Sequence, residues 1–136
     1  MNVFDLTVLA AEKPFYEGEC ASLVIPTING QYGILAYHYN MTAAISAGML
    51  KIEAPDGAIT IAAVSAGLVK VEDNKVLILV DTAERPEEID ENRARRAAAQ
   101  AQEEILQRRS IREYHAAQAR MARELNRLRV KKHTQL

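Results

Sequence analysis

Few residues in this chain of 136 residues have the types and spacing that catalysis requires. The sequence contains no Gly-x-x-x-x-Gly-Lys-Ser/Thr phosphate loop and no Gly-x-Ser-x-Gly nucleophile elbow. Its single cysteine, Cys20, has no nearby His or Cys, so we expect a buried structural thiol and not a nucleophile. His38 has no second His, Cys or spaced carboxylate with which to bind a metal ion. The sequence therefore predicts a protein that is not an enzyme, holds no metal and requires no cofactor.

Charged residues divide the chain into an acidic body and a basic arm. Residues 1–82 hold four lysines and nine acidic residues, whereas residues 92–136 hold twelve basic and four acidic residues. A basic arm favours either an acidic protein partner or a nucleic acid. The arm has one aromatic residue for base stacking, Tyr114, and acidic residues are interspersed among its cations. These features favour an acidic protein partner, and we expect no binding to nucleic acid. A module that binds nucleic acid is the alternative function.

Residues 20–50 carry no formal charge, and a stretch of this length is sufficient to cross a bilayer. Turn-forming and polar residues interrupt it, among them Pro26, Asn29, Gly30 and Asn40. The N-terminal sequence MNVFDLTVLAAEK lacks the basic region and the long apolar run of a signal peptide. We therefore expect no direct membrane insertion, and any membrane association is expected to depend on a partner.

Short apolar segments separated by turn signals occupy residues 1–86, a pattern typical of an antiparallel β-sandwich. Residues 55–57 (Pro-Asp-Gly) and 73–74 (Asp-Asn) lie between such segments, so both are predicted to close β-hairpins. Residues 76–80 are apolar on both faces, which suits a central strand, and nearly all apolar side chains of this domain are expected in its core. The chain is expected to leave the sheet through residues 81–86.

Residues 87–136 are predicted to form a two-helix domain. Asp90 is placed to cap the first helix, and Ser110 with Glu113 forms a capping box at the start of the second. With almost no linker between them, the helices are expected to fold back as an antiparallel hairpin. Their apolar faces are predicted to be Ala94, Ala97, Ala98, Ala101 and Ile105 on the first helix, and Tyr114, Ala117, Met121, Leu125 and Leu128 on the second.

The alanine-rich face has a mechanical consequence. At ~25 cal/mol per Å² of buried apolar surface, an alanine contributes well under half of what a leucine does. Ala, Arg, Gln and Glu have high intrinsic helix propensity, so each helix keeps its shape without extensive packing. The sequence therefore predicts a hairpin that can open or leave a docking surface without melting.

Five motifs, in order along the chain, resemble those of the ε subunit of bacterial F-type ATP synthases, and the likeness covers essentially the whole chain. They are Gly30-x-x-Gly33-Ile34-Leu35-x-x-His38, Ser65-Ala66-Gly67-Leu68-Val69-x-Val71, Asp81-Thr82-Ala83-Glu84-Arg85, Ile89-Asp90-x-x-Arg93-Ala94 and Asn126-Arg127-Leu128-x-Val130. The first motif departs from the family, because Gln31 replaces the usual acidic residue and Ala36-Tyr37 replaces Pro-Gly before His38.

This resemblance implies a β + α fold, with an N-terminal antiparallel β-sandwich followed by a C-terminal α-helical hairpin. In the family the sandwich binds the γ subunit of the rotor stalk and the membrane c-ring. The hairpin rests on the sandwich in a compact form, and in an extended form it enters the catalytic α/β hexamer and blocks ATP hydrolysis. We therefore expect a non-catalytic central-stalk subunit at the cytoplasmic face of the bacterial membrane. A stalk component whose hairpin never moves stays as an alternative.

Two contact surfaces follow from the same resemblance. The c-ring interface is expected to include Gln31, Tyr32 and His38. Contact with an acidic segment of the catalytic head is expected from the arginines of the arm, which are Arg108, Arg109, Arg112, Arg120, Arg123 and Arg127. The alternative for each of these arginines is a solvated surface charge.

The resemblance also implies ATP as a regulatory ligand, because in several members the Ile/Leu-Asp-x-x-Arg-Ala motif binds ATP and holds the hairpin folded. Gln100 stands where ATP-binding relatives carry an Arg, and loss of that cation is expected to weaken phosphate binding by ~1–3 kcal/mol. The alternative is that Asp90 only caps a helix and that Arg93 is only a surface charge. The residues expected to bind ATP are Glu84, Ile89, Asp90 and Arg93, with Arg123 and Arg127 one turn apart on the second helix.

Overall fold

The structure is a computed structural model that describes the backbone of residues 2–107 and 111–135 and the side chains of residues 2–103 and 115–133. The described residues form strands β1 (Phe4–Ala10), β2 (Pro14–Cys20), β3 (Ser22–Thr27), β4 (Gly30–Leu35), β5 (Met41–Ile45), β6 (Gly48–Glu53), β7 (Ile59–Val64), β8 (Gly67–Glu72), β9 (Lys75–Val80) and β10 (Ala83–Glu84). A 3-10 turn (Pro86–Glu88) and helices α1 (Glu91–Gln107) and α2 (Ile111–Gln135) follow. The chain divides into two compact units, Met1–Arg85 and Pro86–Leu136.

Two five-stranded sheets build the first unit. One has the strand order β2-β1-β9-β8-β5 and the other β10-β7-β6-β3-β4. Neighbouring strands pair antiparallel except for β1 and β9, which are parallel. The predicted β-sandwich is therefore confirmed, with one parallel pair that the sequence pattern did not show.

Both predicted hairpins form, and their turn residues explain the register. Asp73 and Asn74 have φ angles of 51° and 61°, which a two-residue turn of the primed type requires and which Asp and Asn tolerate best among non-glycine residues. In the other hairpin, Gly57 has a φ angle of 89° and the Asp56 carboxylate accepts a hydrogen bond from the amide of Ala58 at 3.0 Å. Turn chemistry thus fixes which side chains face inward.

The sandwich core consists of the inward side chains of both sheets, including Phe4, Leu23, Leu50 and Ile78, each at most 2% exposed. The prediction that nearly all apolar side chains lie in this core is wrong for several of them. Alternation along a strand places every second residue on the outer face, so Leu68 and Leu79 point outward although their neighbours are buried. In the described part of the sandwich, the exposed large apolar residues are Leu35, Ile59, Leu68 and Leu79 on strands and Ile28, Tyr37 and Tyr39 between strands.

The chain leaves the sheets later than its composition indicates. Ala83 and Glu84 pair with β7 as one further short strand before Pro86. The hydroxyl of Ser65 supports this exit by accepting a hydrogen bond from the amide of Thr82 at 2.9 Å. These residues belong to two of the motifs singled out in the sequence, so the motifs mark the place where the last strand is attached.

Helices α1 and α2 pack against each other in the second unit. Near the end of α2, the Lys131 Nζ donates a hydrogen bond to the Pro86 carbonyl at 3.1 Å, which brings this end beside the start of α1. The helices are therefore antiparallel, as predicted. The predicted cap at Ser110 and Glu113, and the side chains of Ile105 and Tyr114, lie outside the described residues.

The buried faces agree with the prediction for α1 but only in part for α2. Ala94, Ala98 and Ala101 are buried, and Ala97 is half-buried. On α2, Ala117 is buried as predicted, whereas Leu125 is exposed and was placed on the wrong face. Among the described side chains of α2, the buried polar ones are Glu124 and Asn126. The prediction is wrong for Leu125 because it follows apolar residues alone, whereas the structure buries Glu124 beside its ion-pair partner Arg127.

Gly67 provides a test of the register between β8 and β9. A Cβ atom at this position would collide with the backbone oxygen of Leu79 and with the Val80 side chain. We expect Gly67→Ala to lower the free energy of unfolding of the sandwich by about 1–3 kcal/mol, measured by urea unfolding followed through amide NMR signals of β8 and β9. Gly33→Ala is the control, because nothing lies within 4 Å of its added Cβ, and a change within about 0.5 kcal/mol is expected. Equal effects of the two substitutions would contradict the packing described.

Candidate functional site

The segment after β4 carries a compact network of aromatic and imidazole groups. The Tyr32 hydroxyl lies 2.7 Å from His38 Nε2 and 3.2 Å from the Tyr39 hydroxyl. The other ring nitrogen of His38, Nδ1, lies 2.8 Å from the Tyr39 carbonyl oxygen. The structure therefore brings together two of the three predicted interface residues, Tyr32 and His38, and adds Tyr39. Gln31 precedes Tyr32 on β4 and is exposed.

The direction of this network follows from the groups themselves. A carbonyl oxygen only accepts, so Nδ1 must carry the proton and donate to Tyr39. In a neutral ring, Nε2 is then an acceptor, so the Tyr32 hydroxyl donates to it and in turn accepts from the Tyr39 hydroxyl. The three side chains hold one another in a single arrangement at the surface.

Two asparagines attach this segment to the turn between β8 and β9. The Asn74 side-chain oxygen accepts from the Tyr37 amide at 2.7 Å, and the Asn40 side-chain oxygen accepts from the Asp73 amide at 3.0 Å. Tyr37 has a φ angle of 63°, a left-handed conformation that costs a non-glycine residue roughly 1–2 kcal/mol. Glycine adopts this conformation without the steric cost that Tyr37 incurs.

A row of apolar side chains on the outer face of the first sheet was missed in the sequence. The register aligns Leu9 with Leu79, Leu79 with Leu68, and Leu68 with Ala44 across β1, β9, β8 and β5. Leu68 is 51% exposed and Leu79 is 44% exposed. We call Leu9, Leu68, Leu79 and Ala44 the leucine row. Residues 76–80 are all apolar, so the sequence of β9 alone does not show which of its leucines face outward.

The other end of this outer face is charged. Asp5 aligns with Lys75 and Lys75 with Glu72, and the Lys70 ammonium lies 2.9 Å from the Glu72 carboxylate. Charged rows of this kind are well solvated and contribute little stability. The first sheet therefore presents a polar end and an apolar end, and only the apolar end has surface that water solvates poorly.

Asp90 begins the helical unit as an N-cap. Its carboxylate accepts a hydrogen bond from the backbone amide of Arg93 at 3.0 Å, and its own carbonyl accepts from the Ala94 amide at 3.0 Å. The backbone hydrogen bond from Arg93 is the main cause that lowers the pKa of the Asp90 carboxyl below its ordinary value. The helix-cap interpretation of Asp90 is thus realised in the structure. Arg93 is exposed.

The predicted cationic side of the ATP site contains an internal carboxylate. The Glu124 Oε2 accepts a hydrogen bond from Arg127 at 2.7 Å, and its Oε1 lies 3.8 Å from Arg123. Glu124 is buried, and the Arg127 side chain is 15% exposed. We call Arg123, Glu124 and Arg127 the arginine–glutamate cluster. Sequence reasoning missed Glu124, although its spacing of three residues from Arg127 is a known pairing distance on a helix.

The remaining predicted residues are distributed over both units. Glu84 ends β10 in the first unit, and Ile89 is buried in the second. Arg120 and Gln100 are exposed on the helices. The side chains of Arg108, Arg109 and Arg112 lie outside the described residues.

Cys20 is buried, as predicted, and its thiol donates to the Ser22 carbonyl at 3.1 Å. Burial raises the pKa of this thiol, so little of the reactive thiolate is present. Within the side chains that the structure describes, no group of three or more His, Cys, Asp and Glu could hold a metal ion. No helix in the described part of the chain is long and apolar enough to cross a membrane.

Two family models match the chain. The model described as ATP synthase, Delta/Epsilon chain, beta-sandwich domain matches residues 3–86, and the model described as ATP synthase, Delta/Epsilon chain, long alpha-helix domain matches residues 87–132. An ATP synthase epsilon chain of Ruminiclostridium cellulolyticum is 39% identical over 128 residues, which cover 94% of this chain and 95% of the relative. That of Caldanaerobacter subterraneus is 41% identical over 130 residues, covering 95% and 94%. The chain belongs to the ATP synthase epsilon-chain family.

Solved structures of larger assemblies contain the same fold. A chain of the Euglena gracilis mitochondrial ATP synthase matches 100% of this epsilon-family chain and 83% of its own length, with a TM-score of 0.79 at 22% identity. A chain of the Tetrahymena thermophila mitochondrial ATP synthase central stalk and c-ring matches over 93% and 95%, with a TM-score of 0.63 at 15% identity. At these identities the likeness shows the fold alone. The alternative of a nucleic-acid-binding module receives no support from any of these relatives.

The hydrogen-bond network of this epsilon-family loop predicts one tautomer of His38. We expect neutral His38 to carry its proton on Nδ1, because only that nitrogen faces a carbonyl oxygen. Long-range proton–nitrogen NMR spectra of the ring, recorded on the full chain, distinguish the two tautomers. Tyr32→Phe removes the donor to Nε2 and should allow the tautomers to mix, whereas Tyr37→Phe should leave the spectrum unchanged. A proton found on Nε2 in the unsubstituted chain would contradict the network.

The cap at Asp90 predicts a pH dependence of hairpin stability. The pKa of this carboxyl is lowered on folding, so its charge stabilises the hairpin above the ordinary value of 3.8, and this contribution disappears as the pH falls through the lowered value. Asn caps a helix as well as Asp but does not titrate. The hairpin of the unsubstituted chain should therefore melt at a higher temperature than that of Asp90→Asn at neutral pH, with the difference lost in acid. A difference in melting temperature that is independent of pH would contradict this account; circular dichroism at several pH values measures it.

Proposed function

We propose that this epsilon-family chain is a non-catalytic subunit of the rotor stalk of a proton-translocating F-type ATP synthase. It couples rotation of the c-ring to the catalytic head and restrains ATP hydrolysis by extension of its helical hairpin. The observation that carries the proposal is the division into two units: a sandwich with contact surfaces, and a helical hairpin whose buried side chains in the described part of α1, residues 91–103, are alanines.

The hairpin is suited to separation because little apolar area holds it. Ala94, Ala98 and Ala101 bury small side chains, and α1 contains 17 residues rich in strong helix formers. Separation of the two helices therefore loses a modest amount of burial and leaves the backbone hydrogen bonds within each helix intact. The Lys131 hydrogen bond to Pro86 must also break, and it tethers only the end of α2.

The sandwich offers two surfaces for permanent partners. The leucine row is an exposed apolar strip on a rigid sheet, the kind of surface that a stably bound protein covers, and we assign it to the γ subunit. The segment with Tyr32, His38 and Tyr39 presents aromatic area and polar groups without formal charge, and we assign it to the polar loops of the c-ring. The association with the membrane is peripheral and arises from these partners.

The basic helices provide the contact with the catalytic head. Arg120, Arg123 and Arg129 are exposed on α2 and present cations along its length. A surface of this charge favours an acidic segment of the α/β hexamer when the hairpin is extended. The sequence adds three further cations to this arm, Arg108, Arg109 and Arg112.

ATP belongs to this proposal as a regulatory ligand and not as a cofactor. Asp90, Arg93, Arg123 and Arg127 all lie in the helical unit, and a triphosphate requires cations of the type that the arginines supply. Gln100, which is neutral, weakens the phosphate side of this site.

The proposal predicts the outcome of an inhibition assay. ATP hydrolysis by a catalytic core that lacks this subunit should fall several-fold when the full-length chain is added, whereas residues 1–86 should bind without inhibiting. The reason is that the sandwich provides the attachment and the hairpin provides the block. Steady-state ATPase rates measure the block, and co-sedimentation with the core measures the attachment.

Two matched variants separate attachment from folding. Leu68→Asp places a charge in the leucine row and should abolish both binding and inhibition, while Ile59→Asp, on the outer face of the other sheet and 47% exposed, should retain both.

Inhibition by residues 1–86 alone would refute the role of the hairpin. If the full-length chain and residues 1–86 both bind and neither inhibits, only the structural role in the stalk is supported. If neither of them binds the catalytic core, the proposal is refuted.

A further inference from the structure

The arginine–glutamate cluster contains a carboxylate that the proposed function does not use. Glu124 is 7% exposed, and among the described side chains of α2 it is the buried charged one, on a helix where Ala117 and Val130 are also buried. A buried carboxylate is retained in a protein when nearby cations and hydrogen bonds compensate its lost hydration. Here the compensation comes from Arg127 at 2.7 Å and Arg123 at 3.8 Å, on either side of it in sequence.

The Glu124 carboxylate occupies the position that a bound phosphate would need in order to contact Arg127. A phosphate binds arginine through the same N–H groups and with the same planar geometry as a carboxylate does. Arg127 is largely buried and already donates to Glu124, so its guanidinium cannot reach solvent freely. Any phosphate that approaches this pair meets a negative charge that is already hydrogen-bonded.

We propose that Glu124 is an internal counter-ion that takes the place of a nucleotide phosphate, so that the charges of Arg123 and Arg127 are compensated without ATP and the chain binds ATP weakly. This inference rests on the proposed function, because it concerns the ATP-binding side of the same hairpin. Glu124 is then the residue that determines whether the cluster accepts an external polyphosphate. The neutral residue Gln100 acts in the same direction, since the site lacks a further cation.

A triphosphate competes with the Glu124 carboxylate for the arginines, and two unfavourable terms oppose its binding. A triphosphate that binds Arg123 and Arg127 must displace the Glu124 carboxylate, which then stays buried beside a second anion. Leaving one partner of a buried ion pair uncompensated is strongly unfavourable, and the repulsion between two anions at close range adds to it. Removal of the Glu124 charge abolishes both penalties.

The test compares ATP binding by full-length chains with and without this charge. Glu124→Gln keeps the size and an acceptor oxygen, and we expect its affinity for ATP to exceed that of the unsubstituted chain by about tenfold or more, measured by isothermal titration calorimetry. Its helical unit should also melt at a higher temperature when ATP is present, while that of the unsubstituted chain should hardly change. Glu124→Ala gives the same comparison with the acceptor removed.

Two controls separate a specific effect from a general change of charge. Glu91→Gln removes a carboxylate that pairs with Arg95 at 2.6 Å on the surface of α1, so it changes the net charge equally and should leave ATP affinity unchanged. Arg127→Gln added to Glu124→Gln should remove the gained affinity. Tripolyphosphate, titrated in place of ATP, shows whether the gained affinity comes from the phosphates alone or also requires the nucleoside.

The outcomes are distinguishable. Tighter binding by both Glu124 variants that is lost with Arg127→Gln supports the counter-ion, whichever of the two ligands is bound. Equal affinity of the unsubstituted chain and the folded Glu124→Gln variant overturns it, as does an equal gain with Glu91→Gln. Circular dichroism establishes that the variants are folded. Inhibition of ATP hydrolysis by the unsubstituted chain is independent of these results, so the proposed function can hold when the counter-ion fails.

Discussion

The contact between two helices that bury alanines is the constraint on which the behaviour of this molecule depends. Ala94, Ala98, Ala101 and Ala117 bury little area each, so their combined hydrophobic contribution is small. The helices stay helical by their own propensity, so their separation does not require them to unfold. In the described part of the chain, the Lys131 hydrogen bond to Pro86 holds the end of α2 beside the start of this unit, whereas Glu124 and Arg127 pair within α2. A hairpin of this kind can open while both helices stay intact.

The sandwich has the opposite character. Two sheets enclose a continuous core, and side-chain hydrogen bonds fix its surface segments, as Asn40 and Asn74 fix the segment around Tyr37. That segment accepts a left-handed Tyr37 because the Asn74 side chain holds its amide in place. Strain of this size persists only where the surroundings determine the backbone, and it is expected where a surface must keep one shape for a partner. A sandwich of fixed shape suits the attachment that we propose, and a hairpin of intact helices suits the proposed inhibition of ATP hydrolysis.

The sequence predicted elements well where local chemistry decides them. The turns at residues 56–57 and 73–74 and the Asp90 cap depend on a few neighbouring residues and were found from them. The parallel pairing of β1 with β9, the strand β10 and the leucine row depend on contacts between distant segments, which local patterns do not show. Apolar spacing predicts that Leu125 is buried and its neighbour Glu124 is not, because it favours a leucine over a glutamate for the buried face of a helix. Burial of Glu124 follows only from the nearby arginines, whose positions require the folded helix.

The most direct test of the account is the distance between α1 and α2 in the assembled ATP synthase. Spin labels at Ala99→Cys and Ala116→Cys occupy exposed positions on the two helices, and the native Cys20 is fully buried. Pulsed electron paramagnetic resonance should show a short distance in the isolated chain, and both a short and a long distance in the complex. Circular dichroism of the labelled chain should show unchanged helix content. A single short distance in every condition, or a long distance that appears only when helix content is lost, would contradict an arm that opens as intact helices.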